Sequence, residues 1–254
     1  MLSLKNLSVT VDNKTIIDDI SMDFELGKNY CIIGKNGSGK SSLAMTIMGH
    51  PKYKITNWKL RIENLPAGRQ GWKLKINLLA LDPHERAKLW IFVAFQHIPE
   101  IKGIKLFEFL RSIYDAKNDS TTSFLAFKKI IEPLMQELEI SMEFLRRDLN
   151  VGFSGGERRK IEIVQLKLLE PKYIFLDEID SGLDVDAFKS VVQMIAKVNH
   201  EKNSFIIITH IFDILKYISV DHVYILEQGK IIKEGDQKLI EIIKKEWFID
   251  IENK

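Results

Sequence analysis

The sequence predicts an α/β protein whose centre is a parallel sheet covered by helices on both faces. Three observations carry that expectation. Over residues 157–208, helical stretches at 157–169 and 187–198 alternate with short, almost wholly apolar runs at 173–176 and 204–208. A strand with no polar face is one buried on both sides, as in parallel sheets. Residues 29–33 form another short apolar run, which passes straight into a glycine-rich loop and a helical stretch from Lys40 to Met48, stopped by Gly49 and Pro51. The amino-terminal segment differs: residues 2–11 and 15–24 flank Asp12-Asn13-Lys14 and read as an antiparallel hairpin.

The remaining elements follow the same signals. Residues 106–116 and 124–145 read as helical and form a lobe ahead of a second glycine-rich segment. Residues 223–226 and 230–233 flank Gln228-Gly229 and read as a second hairpin. Trp58-Lys59-Leu60-Arg61-Ile62 is echoed by Trp72-Lys73-Leu74-Lys75-Ile76 across the turn-rich Pro66-Ala67-Gly68-Arg69-Gln70-Gly71. That is a local duplication expected to form a surface hairpin, since two copies are too few for a repeat architecture.

Composition narrows the function classes. The 254 residues suffice for one large α/β domain with a smaller inserted lobe. Lys plus Arg (37) nearly balances Asp plus Glu (35), so the net charge of +2 gives no reason to expect nucleic acid or an acidic membrane as partner. The first residues mix polar and apolar types, unlike a targeting peptide. Even the apolar stretch 205–218 is broken by His210, Asp213 and Lys216, so no membrane insertion is expected. The single cysteine, Cys31, allows no internal disulfide, which fits a reducing cytoplasm.

Three segments carry chemistry. Gly34-Lys35-Asn36-Gly37-Ser38-Gly39-Lys40-Ser41, followed by Ser42, has the spacing of a phosphate-binding loop between strand and helix. Its glycines let backbone N–H groups turn inward, Lys40 places a cation on the outer phosphates, and the Ser41 hydroxyl can hold Mg²⁺. The helix that starts there directs its positive end at the anion. Tyr173-Ile174-Phe175-Leu176-Asp177-Glu178 delivers two acids at the carboxyl end of a buried strand, where ligands sit in open α/β sheets. Asp177 is placed to hold Mg²⁺ through water, and Glu178 to orient an attacking water as a base. Phe153-Ser154-Gly155-Gly156-Glu157 opens a helix with capping-box spacing, and a helix start with free N–H groups and a hydroxyl can also bind phosphate.

Together these segments resemble the ABC ATPase family, whose signature Leu-Ser-Gly-Gly-Gln is similar to Phe153–Glu157. The resemblance extends over nearly the whole chain. It implies a P-loop NTPase fold, with a RecA-like core, an N-terminal antiparallel β-subdomain and an inserted helical subdomain at 104–150, the core and β-subdomain taking 1–103 and 151–254. It implies ATP and Mg²⁺ as ligands and ATP hydrolysis as the activity. Gln96 matches the family's Q-loop, acting on catalysis and on the Mg²⁺ region. Ser181-Gly182-Leu183-Asp184 is similar to the D-loop, and His210 to the switch histidine that contacts the γ-phosphate. Ser154, Gly155, Gly156 and Glu157 would bind the nucleotide held by a second copy, in a transient ATP-dependent homodimer. Val11 stands where many members carry an aromatic residue that stacks on adenine.

Within the family, His50-Pro51-Lys52-Tyr53, Ala94-Phe95-Gln96, Pro99-Glu100-Ile101-Lys102-Gly103, the segment 150–157 and the segment 176–184 resemble the SufC subfamily. That resemblance implies SufB- and SufD-like soluble scaffold proteins as partners in iron–sulfur cluster assembly. One thiol cannot hold a cluster that usually takes four ligands, so the cluster chemistry would belong to the partners. The alternative within the family is the nucleotide-binding subunit of a membrane transporter.

Overall fold

Strand β1 (Leu2–Val11) turns back on β2 (Lys14–Phe24), with Val11 opposite Lys14. The connection is therefore two residues, one shorter than the sequence suggested. Asp12 and Asn13 adopt φ of 49° and 62°, and two left-handed residues make the turn whose twist suits a hairpin. The computed structural model describes residues 1–62, 76–198 and 201–252. On its other side β1 pairs with β4 (Lys54–Ile62), which pairs with β5 (Ile76–Asn77), completing a four-stranded antiparallel sheet in the order β2-β1-β4-β5. Leu2, Leu4, Leu7 and Val9 of β1 and Ile17, Ile20, Met22 and Phe24 of β2 are buried. Alternation along β1 and β2 thus covers one face of the sheet. At the duplicated segment, Arg61 and Ile62 pair with Asn77 and Ile76, while Trp72 and the 66–71 turn lie outside the described residues.

The second sheet has six strands in the order β12-β11-β3-β10-β9-β6. These are β3 (Tyr30–Ile33), β6 (Ile91–Ala94), β9 (Tyr173–Asp177), β10 (Ser204–Thr209), β11 (His222–Glu227) and β12 (Lys230–Gly235). β11, β3, β10 and β9 run parallel, and β12 closes one edge antiparallel. Every residue of β3, β6, β9 and β10 is buried, as their almost wholly apolar sequences require. The expected α/β fold and its amino-terminal antiparallel sheet are both present.

The chain divides into two compact units. The first comprises Met1–Val93, Lys172–Glu178 and His200–Lys254; the second comprises Ala94–Pro171 and Ile179–Asn199. The first unit carries both large sheets and the helices α1 (Lys40–Met48), α2 (Pro83–Lys88) and α7 (Lys238–Glu252). α2 opens with a capping box between Asp82 and Glu85 and has Pro83 in its first turn. Its Arg86 is buried and donates to the carbonyls of Thr46 (3.0 Å), Ile47 (2.9 Å) and Leu81 (2.9 Å). A cation therefore satisfies carbonyls in the last turn of α1, where the helix dipole favours positive charge.

The second unit holds a short ribbon, β7 (Ile101–Lys105) with β8 (Asp148–Leu149), and the helices α3 (Leu106–Asn118), α4 (Phe124–Glu137), α5 (Gly155–Leu169) and α6 (Val185–Val198). Leu106, Phe107, Leu110, Phe127, Ile131 and Met135 form an apolar seam, with the Phe107 and Phe127 rings edge-on at 5.3 Å. The single helical stretch expected over 124–145 is two pieces. α4 ends at Glu137, Glu139 takes a left-handed φ of 54°, and Ser141 caps a new 3₁₀ turn over Met142–Arg146. The Ser141 hydroxyl accepts the Glu143 N–H, so a capping side chain restarts the helix after the break. Among the described residues no helix is long and apolar enough to cross a membrane.

Candidate functional site

In the first unit the chain leaves β3 at Ile33 and enters the loop that begins at Gly34. A β-carbon on Gly34 would lie 2.2 Å from the Leu226 carbonyl oxygen and 2.5 Å from Ser38 Oγ. Only a residue without a side chain lets the loop approach the neighbouring strand β11 this closely. Gly39, the N-cap of α1, has a φ of 104°, which glycine alone adopts without strain. No side chain caps α1, and its first turn carries no acid. An uncapped helix start behind a glycine loop is where a phosphate binds. Ser38 Oγ is buried with no hydrogen-bond partner among the described residues, an orphaned donor that a phosphate oxygen would satisfy. The loop therefore fits a nucleotide phosphate, with Gly34, Lys35, Asn36, Gly37, Ser38, Gly39, Lys40, Ser41 and Ser42 running along it and into α1.

Lys40 is buried, and its Nζ donates to the carbonyls of Gly34 (2.7 Å) and Lys35 (3.1 Å). Burial pulls its pKa below the ordinary lysine value, and the carboxylates of Glu178 and Asp177 act against that shift. Ser41 Oγ donates to Asp177 Oδ1 at 2.9 Å. Hydroxyl and carboxylate together are the hard oxygen donors that Mg²⁺ takes, so these two residues fit that ion.

β9 and β10 are parallel neighbours with Asp177 opposite Ile208. The residues that follow each strand therefore emerge from the same end of the sheet. Glu178 is buried and left-handed, with a φ of 45°, and its N–H donates to the Ile208 carbonyl at 2.9 Å. A non-glycine residue in that region costs free energy and persists only when its surroundings hold it there. After β10, Thr209 Oγ1 donates to the Ile211 carbonyl (2.7 Å) and accepts the Ile211 N–H (2.9 Å). That tight turn presents His210, whose Nδ1 lies 3.0 Å from Glu178 Oε1. Lys40 Nζ is 3.8 Å from the same oxygen. The structure thus gathers Lys40, Ser41, Asp177, Glu178 and His210 in one place.

Gln96 and the segment Ser154–Glu157 belong to the second unit. Ser154 is the N-cap of α5: its Oγ accepts the Glu157 N–H at 3.3 Å, and Glu157 Oε2 accepts the Ser154 N–H at 2.7 Å. A β-carbon on Gly155 would lie 2.6 Å from the Gly182 carbonyl oxygen, so the first turn of α5 packs on the segment Ser181-Gly182-Leu183-Asp184. Asp184 in turn caps α6, its Oδ1 accepting the Ala187 N–H at 2.8 Å. The sequence motifs singled out none of Arg86, Arg158, Arg159 and Glu162. A signal existed for two of them: Arg159 and Glu162 stand one turn apart in a helix whose neighbours Ile161, Ile163, Val164, Leu166 and Leu168 are all core residues.

A phosphate loop at the end of a parallel strand, facing a serine–aspartate pair and a glutamate–histidine pair, defines a nucleotide-hydrolysing P-loop protein. The family described as ABC transporter matches residues 17–181, and the chain belongs to the ABC ATPase family, as an enzyme that binds and hydrolyses ATP. Its close relatives are of the SufC and ycf16 group. It is 39% identical over 252 residues to "Probable ATP-dependent transporter SufC" of Escherichia coli (strain K12), covering 98% of this chain and 97% of that protein. It is 40% identical over 239 residues to "Probable ATP-dependent transporter ycf16" of Antithamnion sp., covering 92% and 91%. It is 36% identical to "Iron-sulfur cluster assembly protein SufC" of Plasmodium falciparum (isolate 3D7), covering 98% of this chain and 70% of that protein. Among solved structures, a dimeric ATP-binding cassette in a post-hydrolysis state bound to ADP and Pi superposes with a TM-score of 0.75 at 20% identity, covering 93% of this chain and 98% of that one. The α/β cassette fold is therefore shared even where little sequence is.

Proposed function

We propose that this ATPase drives conformational change in an iron–sulfur cluster assembly scaffold built of SufB- and SufD-like proteins. What carries the reading is similarity to SufC relatives along almost the full length of the chain, beyond the shared ATPase motifs. In this reading the protein works in the cytoplasm, and its residues divide the labour as follows. The 34–42 loop and Lys40 hold the phosphates, while Ser41, Asp177 and Gln96 hold Mg²⁺, which neutralises phosphate charge when bound. Glu178 accepts a proton from the attacking water as that water's oxygen bonds to the γ-phosphorus and the bond to the β-phosphate oxygen breaks. His210 fixes the Glu178 carboxylate and reaches the γ-phosphate. Residues 104–150 act as the helical subdomain that meets the scaffold. Ser154, Gly155, Gly156 and Glu157 close on the nucleotide of a second copy, in a dimer that forms with ATP and parts after hydrolysis.

The docking part of this reading has its own test. Ile101 and Ile104 of β7 and Phe124 and Leu125 at the start of α4 are exposed apolar side chains in the second unit. Ile101→Asp, which places a charge in this apolar set, is expected to weaken scaffold binding and spare nucleotide binding. Wild type and variant are compared in pull-downs from an extract, with bound proteins identified. Capture of SufB- or SufD-like proteins by the wild type alone supports the reading; capture of an integral membrane protein instead supports the transporter alternative.

A further inference from the structure

The motif that singles out Gln96 says nothing of how its backbone is held. Two charged residues one turn apart on α5, Arg159 and Glu162, are 3% and 7% exposed and pair at 2.6 Å. Both also bond to the same piece of main chain. Arg159 Nη1 donates to the Phe95 carbonyl at 2.8 Å, and Nη2 to the Gln96 carbonyl at 3.3 Å. Glu162 accepts the Phe95 N–H. One ion pair therefore closes on both polar groups of Phe95 and reaches the next residue. Farther along, Arg158 donates to the Ile98 carbonyl (3.4 Å) and to Glu100 Oε1 (2.5 Å), and Asn150 Nδ2 donates to the Pro99 carbonyl (3.0 Å).

Stability alone is a poor reason for a buried ion pair, because apolar residues of similar volume often serve as well or better. What an apolar pair cannot do is bond to a peptide group. The guanidinium fork makes that difference concrete, since it reaches two carbonyls and a carboxylate at once.

We propose that the Arg159–Glu162 pair is a positioning clamp for the Gln96 loop. It ties the Phe95–Gln96 main chain to the first turns of the signature helix, so that Gln96 and Ser154–Glu157 move as one piece. The inference rests on the reading of Gln96 as a residue that acts on the nucleotide. A small misplacement of a positioning group costs rate rather than resting affinity, because alignment matters most in the reacting complex.

The test is a cycle of variants assayed for steady-state ATP hydrolysis and for nucleotide affinity. Arg159→Met combined with Glu162→Gln leaves no buried charge, keeps an acceptor for the Phe95 N–H and removes the guanidinium. It is expected to lower kcat about 10–100-fold with nucleotide affinity of the resting protein unchanged. Adding Gln96→Ala should lower kcat no further, because clamp and glutamine serve one step. If Gln96→Ala slows the wild type and imposes its full factor again on the clamp variant, the clamp does not act through Gln96. If Gln96→Ala leaves the wild-type rate intact, the reading of Gln96 fails, and the clamp with it. Arg159→Lys keeps the charge but not the fork, and should fall between wild type and the double variant. Should the double variant fail to fold, Arg159→Lys decides: a wild-type rate together with wild-type hydrogen exchange at the Phe95 amide overturns the proposal, whereas a lower rate with faster exchange supports it.

Discussion

The Nδ1 atom of His210 lies 3.0 Å from Oε1 of Glu178. An ionised carboxylate can only accept, so a hydrogen bond to it requires the ring to donate from Nδ1. The same carboxylate oxygen is 3.8 Å from the Lys40 ammonium, and Glu178 is held in its left-handed conformation by the bond to Ile208. In the proposed mechanism these contacts would orient Glu178 as the base before substrate arrives. Glu178→Gln keeps the shape and loses the proton acceptor. Turnover should drop about 10²–10⁴-fold, with ATP binding intact by calorimetric titration. Normal turnover in that variant would remove Glu178 as the base.

Ser154 caps the start of α5 and, in the proposed dimer, touches a second copy's nucleotide. Ser154→Arg should prevent ATP-dependent dimerisation while the variant still binds nucleotide. Sedimentation of Glu178→Gln with ATP provides the reference, since a hydrolysis-deficient chain accumulates the closed pair. A monomer in that reference at high concentration contradicts the dimer; a dimer in Ser154→Arg contradicts the role of Ser154.

Arg86 holds the far end of the helix that carries the phosphate loop. Arg86→Met leaves the carbonyls of Thr46, Ile47 and Leu81 without that donor. The expected loss is about 3 kcal/mol of stability, the scale of hydrogen bonds to a charged group, seen as a lower unfolding midpoint. ATP protects against unfolding by an amount that grows with the logarithm of its concentration over its Kd, so the same melts with added nucleotide report whether α1 still presents its loop. An unchanged midpoint would mean that water replaces the guanidinium.

Glu162 gives stability a pH dependence of predictable sign. Burial raises its pKa above the ordinary 4.5, despite opposition from Arg159 and the Phe95 N–H. Between pH 4.5 and the raised folded value, the native state keeps a proton that the unfolded chain has released. Stability therefore falls as pH rises through that window and levels off above it. Glu162→Gln has no proton to release, so its denaturation midpoints across the window should show a shallower decline than the wild type. Parallel profiles would show that Glu162 contributes no such linkage.

Much of this molecule was legible in the sequence because a few segments combine local and global signals. The run from β3 through the glycine loop into α1 has its boundaries written in residue type: four apolar residues, then glycines, then a helix ending at Gly49. β9 and β10 were equally plain, each built on four consecutive apolar residues, 173–176 and 205–208. The break at Glu139 was hidden, since residues 124–145 keep an amphipathic pattern through it and only Ser141 marks the restart. α2, β6 and the β7–β8 ribbon were not anticipated. They are short, and what they do depends on partners distant in sequence, such as Arg86 reaching Thr46 and Ile47. The same holds at the site. Lys40, Asp177 and Glu178 announce themselves by motif, whereas the spacing of Arg159 and Glu162 marks a buried charged pair without saying that it holds Phe95 and Gln96.

The place of β3 in its sheet has a consequence for how the protein is made. Tyr30 pairs with Ile206 on one side and with His222 on the other. A ribosome releases β3 and the loop behind it well before either neighbouring strand, since Ile206 and His222 lie far downstream of Tyr30. Until they emerge, Tyr30-Cys31-Ile32-Ile33 is an apolar strand with two bare edges, the kind of segment that aggregates or recruits a chaperone. The slow step of folding is then the arrival of these distant partners. A nascent chain halted before Ser204 would carry every residue of the phosphate loop and still be unable to hold ATP.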